Sequence, residues 1–205
     1  MTSRAQHWES IYSAKGGDEV SWFEANPEVS TRLVLRAGVP GSVVDVGAGA
    51  SALADALLAA GVARVTLLDL SVRALVITSS RLAEQGLQVE TVAADVLTYP
   101  FDETFDVWHD RAVFHFLTDD ADRASYVGQV RRALRPGGLL VVGTFAEDGP
   151  ETCSGLPVRR YGPDALVAAF GAGFSLEHSE RVEHRTPWGA VQPFTWVVLR
   201  RVETA

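Results

Sequence analysis

Lysine is nearly missing from this chain: Lys15 is the only one among 205 residues, and every other basic side chain is arginine. That scarcity removes two chemistries. No Gly-Lys-Ser/Thr loop is present to cradle a nucleotide phosphate, and Lys15 sits in a polar stretch rather than at a sheltered strand end suited to a Schiff base. Cysteine is as scarce. Cys153 alone makes no internal disulfide, and a lone cysteine is ordinarily an inert thiol, so no metal site is expected. No apolar run approaches the roughly 20 residues of a membrane-spanning helix, and Met1-Thr2-Ser3-Arg4 does not open an apolar secretory signal. A cytoplasmic protein with no membrane partner is the expectation. Positive charge is outnumbered, with 18 basic against 26 acidic residues and a net charge of -8, which repels nucleic-acid phosphates. The Asn/Asp-Pro-Pro-Tyr loop that grips an exocyclic amine is missing too, so nucleic acid is not the expected substrate.

What is present is an alternation of strand-like and amphipathic helical runs from about residue 40 to 170, the pattern of βαβ units in a parallel sheet. Strands are predicted over 42–46, 64–69, 88–93, 105–109 and 139–145. The helix after the fourth opens at Thr118-Asp119-Asp120 and is predicted to close through Arg131, Arg132 and Arg135, just before Pro136-Gly137-Gly138. Two further runs, 175–183 and 192–201, have no helix between them and are predicted to lie antiparallel. Ahead of the sheet, residues 3–15 read as a helix, and Asn26-Pro27-Glu28 as an N-cap, a proline at the first helical position and an acidic first turn. The length suits one domain over 1–205, divided into an N-terminal helical cover (1–38), a core (39–146) and a C-terminal helix with a β-hairpin (147–205).

The strongest local signal is Asp45-Val46-Gly47-Ala48-Gly49, where a buried strand turns into a helix. Glycines there let backbone approach a ligand closely, and the turn offers N–H groups to an anion. Asp69, at the end of the next strand, is placed to accept hydrogen bonds from ribose hydroxyls, and Asp95 follows the third strand at the same sheet edge. Singly, each is compatible with a plain turn or cap; together they mark a ligand site. A dinucleotide oxidoreductase is the rival reading, since Gly47 to Ala52 fits G-x-G-x-x-A. Against it stand the lack of room for a substrate domain and the carboxylate of Asp45, which discourages pyrophosphate and suits an ammonium and a sulfonium.

Four stretches carry a family resemblance: Val44-Asp45-Val46-Gly47-Ala48-Gly49, Leu68-Asp69-Leu70-Ser71, Ala94-Asp95-Val96 and Leu134-Arg135-Pro136-Gly137-Gly138-Leu139. Through them the chain resembles the class I S-adenosylmethionine-dependent methyltransferases. The resemblance implies an α/β, Rossmann-like fold: a seven-stranded sheet, mostly parallel with an antiparallel last strand and helices on both faces. It also implies S-adenosylmethionine as cofactor. Asp45, Gly47, Ala48 and Gly49 would hold the methionine end under Trp22, Asp69 and Leu70 the ribose, Asp95 and Val96 the adenine, with His109 and Asp110 lining the site. His7-Trp8-Glu9-Ser10-Ile11-Tyr12 with Trp22-Phe23 is similar to the cover of enzymes that methylate lysine in elongation factors and citrate synthase. His109-Asp110-Arg111-Ala112 and Cys153-Ser154-Gly155-Leu156 are similar to bacterial small-molecule and thiopurine-type methyltransferases.

A small-molecule acceptor is expected, with a protein lysine as the alternative and a non-catalytic S-adenosylmethionine-binding module as another. Candidate bases are His109, Asp110, His115 and His184, although methyl transfer from a sulfonium needs alignment and a dry site more than a base. Arg111 is expected to pair with Asp110 at a helix entry, the alternative being a partner for an acidic substrate or cofactor group. Trp8, Tyr12, Trp22 and Phe23, joined through Gly16 and Gly17, are expected to form a lid. The acceptor pocket is expected to be completed by His115 and by the hairpin tip near His184 and Trp188.

Overall fold

The computed structural model describes residues 3–14 and 19–202, so Lys15 and the proposed joint at Gly16 and Gly17 lie outside the described residues. Seven strands form one sheet in the order β3-β2-β1-β4-β5-β9-β8. β1 (Ser42–Val46), β2 (Arg64–Asp69), β3 (Glu90–Ala93), β4 (Phe105–Arg111) and β5 (Leu134–Phe145) run parallel; β9 (Val191–Arg201) is antiparallel to β5 and to β8 (Phe174–Arg185). Both faces are covered, which is why β1 and β2 are almost continuously buried rather than alternating. On one face Leu33 of α2 (Glu28–Val34), Leu57 of α3 (Leu53–Ala59) and Leu82 of α4 (Val72–Glu84) pack on Val43, Leu67 and Val141. On the other, Tyr126 and Val130 of α5 (Asp120–Ala133) and Leu166 and Phe170 of α6 (Pro163–Phe170) pack on Trp108, Leu140 and Val197. Among the described residues, no helix is long and apolar enough to cross a membrane.

Side-chain caps fix where two helices start. Ser71 accepts the Ala74 N–H at 3.1 Å, and Asp119 accepts the Ala121 N–H at 2.8 Å, each satisfying a donor the helix leaves unpaired. Three departures from expectation stand out. α2 begins at Glu28, with Pro27 at the cap position and no capping side chain; Asn26 contributes only its carbonyl, which accepts the Glu28 N–H at 2.9 Å. β5 begins at Leu134, five residues early, because Arg135 precedes a proline and is steered out of helical geometry. Residues 135–138 then bulge out between the pairs Leu134↔Phe105 and Leu139↔Val107, and Arg135 pairs with Asp106 instead of closing α5. Third, the loop after β5 holds a two-stranded ribbon, β6 (Thr152–Cys153) and β7 (Leu156–Pro157), turned by Ser154 and Gly155 with φ of 52° and 77°. Two successive positive φ values make a tight hairpin turn, and this one sets Cys153 at the sheet edge.

Gly143 shows how closely β5 and β9 are fitted: a Cβ built there lies 2.8 Å from three ring atoms of the buried Trp196. Gly143→Ala is therefore expected to destabilise by about 1–3 kcal/mol, read as a lower midpoint in thermal unfolding.

Candidate active site

The turn after β1 is tied to the end of β2. The N–H groups of Gly47 and Ala48 both donate to the Leu68 carbonyl, at 2.7 and 3.2 Å, and that of Gly49 donates to Asp69 Oδ2 at 2.8 Å. Asp69 Oδ1 accepts the Ser71 N–H at 2.7 Å. The N–H groups of this turn are thus committed internally rather than left for a ligand, and the turn's role is to bring the Asp69 carboxylate and bare backbone to one place. Gly47 and Gly49 have φ of 67° and 55°; a Cβ at Gly47 would lie 2.0 Å from Val113 Cγ2, and one at Gly49 2.3 Å from the Tyr12 hydroxyl. Burial pushes the Asp69 carboxyl up to about 6, against the pull of its two N–H bonds.

Above this turn lies α1 (Arg4–Ala14). Ser71 Oγ donates to Glu9 at 2.7 Å and Arg73 Nε to the Tyr12 carbonyl at 2.9 Å, which anchors α1 on the start of α4. Trp22 Nε1 donates to the Tyr12 hydroxyl at 3.3 Å, and Trp8 meets Trp22 and Phe116 edge-on. Beneath these rings a cavity runs along the carboxyl edge of the sheet. One end is walled by Asp69, Leu70, Asp95 and Val96, and the other by Phe145, Cys153, Gln192 and Phe194. Arg111 also lines it, donating to the Trp22 carbonyl at 2.7 Å and to Glu24 at 3.0 Å. Burial raises the Glu24 carboxyl, but the hydrogen bond from His184 and the charge of Arg111 outweigh it and hold that carboxyl below the usual range. Burial pushes the Cys153 thiol up to about 11, so it is a neutral donor at physiological pH.

A second, smaller cavity shares Trp22, Gly47 and Arg111 with the first and is floored by Asp45 and His109. There Asp45 Oδ1 lies 2.7 Å from His109 Nδ1, whose Nε2 lies 3.0 Å from Ser30 Oγ, all three side chains being buried.

The fold recurs in solved structures. A protein solved in work on conversion of a disulfide bond into a thioacetal group during echinomycin biosynthesis has a TM-score of 0.81 and 19% identity, covering 99% of this chain and 93% of its own. The N-methyltransferase NodS from Bradyrhizobium japonicum WM9 has a TM-score of 0.75 and 22% identity, covering 96% of this chain and all of its own (100%). The 1,6-didemethyltoxoflavin-N1-methyltransferase of Burkholderia thailandensis has a TM-score of 0.70 and 24% identity, covering 86% and 78%. No curated protein sequence matches the chain. At such identities the structures speak for the fold, and the decisive match is to a family model: residues 43–138 match the methyltransferase domain. The chain carries a methyltransferase domain.

S-adenosylmethionine is the cofactor of this methyltransferase family, and both NodS and the didemethyltoxoflavin enzyme were solved with S-adenosylhomocysteine. The residues present fit it. Asp69 and Asp95 line the cavity at successive strand ends, Leu70 and Val96 give apolar faces between them, and the buried Asp45 offers a carboxylate to an ammonium. Of the candidate cofactor residues, Trp22, Gly47, Asp69, Leu70, Asp95 and Val96 line the main cavity; Asp45, Ala48 and His109 line the adjoining one; Gly49 lines neither and lies under the Tyr12 hydroxyl.

The expected bases are placed differently from the sequence reading. Asp110 does not line either cavity. Its oxygens accept the Val113 and Phe114 N–H groups at 2.8 and 3.0 Å and the Tyr126 hydroxyl, and burial pushes its carboxyl up to about 6. Arg111 pairs with Glu24 rather than with Asp110, because successive residues of β4 point to opposite faces. His115 is fully buried against Phe116 and Phe145, its Nδ1 accepting the Phe145 N–H at 3.4 Å; burial and the nearby Arg111 charge lower its pKa to about 3. His184 binds Glu24 and the Ser21 carbonyl behind the cavity wall, and Trp188 is 61% exposed, so the hairpin tip does not complete the pocket. Gln192, Phe194, Phe145, Phe116 and Ser30 carried no signal in the sequence. They reach the site through the β9 pairing, the end of β5, the 3-10 turn Phe114–Phe116 after β4 and the packing of α2.

Asp69→Asn is expected to weaken S-adenosylhomocysteine binding by about 1–3 kcal/mol, since ribose hydroxyls would lose a charged acceptor. The raised carboxyl adds a sign: wild-type affinity should fall as pH drops through about 6, where Asp69 takes up a proton, while the Asn variant stays flat. Calorimetry between pH 5 and pH 8, to be run at about one-unit steps, reads both effects.

Proposed function

We propose that this methyltransferase acts on a small-molecule acceptor, by in-line transfer, in a pocket closed by its N-terminal segment. The observation that carries the reading is the continuity of the main cavity. It joins the cofactor end at Asp69 and Asp95 to an aromatic end at Phe145 and Phe194 beneath Trp8 and Trp22, so an acceptor meets the donor inside a covered, mostly apolar space. Bound there, S-adenosylmethionine supplies a methyl group on a sulfonium. The chain's own residues contribute binding, alignment and exclusion of water, which suffice for a displacement in which charge disperses. NodS and the didemethyltoxoflavin enzyme are by name N-methyltransferases, the second solved with bound 1,6-didemethyltoxoflavin, and this supports the small-molecule reading. We read the whole chain as one functional unit, with residues up to 38 as cover, 39–146 as core and the C-terminal part completing the wall, and we place it in the cytoplasm.

Calorimetry is expected to give binding of S-adenosylmethionine and S-adenosylhomocysteine but not of NAD; the reverse result sinks the reading. Labelled cofactor incubated with cell extract should mark small molecules, whereas label concentrated in one protein band favours a protein lysine instead. Trp22→Ala opens the cover between Tyr12 and Arg111 and is expected to cut turnover by about 10- to 100-fold while the protein stays folded and still binds cofactor. Unchanged turnover would remove Trp22 from the lid.

A further inference from the structure

Two carboxylates stand near the ends of neighbouring strands and face different cavities. Asp69 accepts the Gly49 and Ser71 N–H groups and lines the main cavity, while Asp45 floors the adjoining one. Left free, Asp45 would not hold its direction. It lies close enough to be repelled by Asp69 and attracted by Arg111, which lines both cavities and has N–H groups beyond the two it gives to Trp22 and Glu24. An aspartate drawn onto that guanidinium would be neutralised inside the protein before any ligand arrived.

His109 supplies the restraint. Its Cα pairs with that of Asp45 across β1 and β4, so the two side chains share a face of the sheet. Nδ1 donates to Asp45 Oδ1 at 2.7 Å, because a carboxylate can only accept, and Nε2 lies 3.0 Å from Ser30 Oγ on α2. The ring also stacks on Trp196, with centroids 6.0 Å apart and planes at 30°, and Trp196 fills the space beside Gly143. The imidazole is thus fixed by α2, β1 and β9 together. Among the described residues the Asp45 carboxylate makes its hydrogen bond through Oδ1, which leaves Oδ2 for a ligand in the cavity that Ser30, Trp22 and Arg111 also line.

Resting on the methyl-transfer reading above, we infer that His109, held by Ser30, is a positioning residue for Asp45: it aims that carboxylate at the ammonium of the cofactor's amino-acid end and takes no part in the transfer itself. Both ring nitrogens are engaged by protein groups, one by each neighbour. A carboxylate preset in this way receives a cation without first breaking an internal pair, and that is what a supported site gains over a loose one. The seating of α2 on the sheet enters cofactor affinity through the Ser30 hydroxyl.

Two ligands that share an adenosyl thioether separate this role from a general structural one: S-adenosylhomocysteine, and 5′-methylthioadenosine, which lacks the ammonium and the carboxylate. Calorimetry on the wild-type protein should show the first bound at least about tenfold more tightly. His109→Leu keeps bulk beside Trp196 but no donor, and it should lose that preference with methylthioadenosine affinity unchanged. His109→Asn keeps a donor near the place of Nδ1 and should retain most of the preference, whereas Ser30→Ala should reduce it by about threefold. Asp45→Asn should lose it as well, and adding His109→Leu should then cost nothing further, since the ring acts through the carboxylate. Equal loss of both ligands in His109→Leu, an Asn variant no better than the Leu variant, additive losses in the double variant, or a wild-type protein without the preference overturns the inference alone. Should His109→Leu not fold, Ser30→Ala decides, and an unchanged preference there overturns the inference. A wild-type protein that binds neither ligand overturns the methyl-transfer reading and this inference with it.

Discussion

The hydrogen bond from the Gly49 N–H to Asp69 Oδ2, 2.8 Å long and buried, is the constraint around which the site is arranged. It forces the backbone after β1 into a left-handed turn that glycine alone adopts without strain, and it holds that turn against the end of the neighbouring strand. It also decides the state of the carboxylate. A buried aspartate without donors would stay protonated, whereas the N–H groups of Gly49 and Ser71 bring it back to about 6, ionised at neutral pH and ready to accept from a ligand. The same turn makes room for Tyr12: its hydroxyl occupies the space a Cβ at Gly49 would take. Sequence, backbone conformation, charge state and the seating of α1 therefore meet at one residue pair.

A second junction, at Arg111, ties together parts far apart in the chain. Trp22 and Glu24 from the N-terminal segment, Arg111 from the end of β4 and His184 from β8 form one hydrogen-bonded cluster, with Phe194 of β9 under the guanidinium. Taking an arginine out of water is costly unless its N–H groups find acceptors, and the cluster supplies two. The position of Trp22 over the cavity is thereby linked to the position of the C-terminal hairpin, although the hairpin's tip does not line that cavity.

The fold was legible because its signals are local and repeated. Apolar strands 42–46, 64–69 and 139–145 each precede or follow a glycine turn or a capped helix, and the absence of a helix between the last two strands dictated the antiparallel pair. The cofactor end was legible for the same reason: Gly47, Asp69 and Asp95 each sit at a strand end, and strand ends in parallel sheets converge. The acceptor end was not. Gln192 and Phe194 reach the cavity only because β9 runs antiparallel beside β5, a long-range pairing that no neighbouring residue announces. Cys153 arrives by way of a two-residue turn that moves it to the sheet edge.

The histidines show where a residue-type reading fails and a periodicity reading would have succeeded. His109, Asp110 and Arg111 are consecutive on a strand, so they cannot act as a group: His109 and Arg111 share one face and Asp110 takes the other, where Tyr126 and two backbone N–H groups meet it. His115, despite its place in an apolar run near the site, is buried too deeply to hold a proton at physiological pH. His184 is held between two oxygen acceptors. Each of these three histidines has a structural reason for its position, and the reasons differ: one supports Asp45, one fills the core under Phe145, and one lies within hydrogen-bond distance of Glu24. With Asp110, His115 and His184 all outside the lining of the main cavity, what its described residues offer to a methyl transfer is alignment and a largely apolar, covered space.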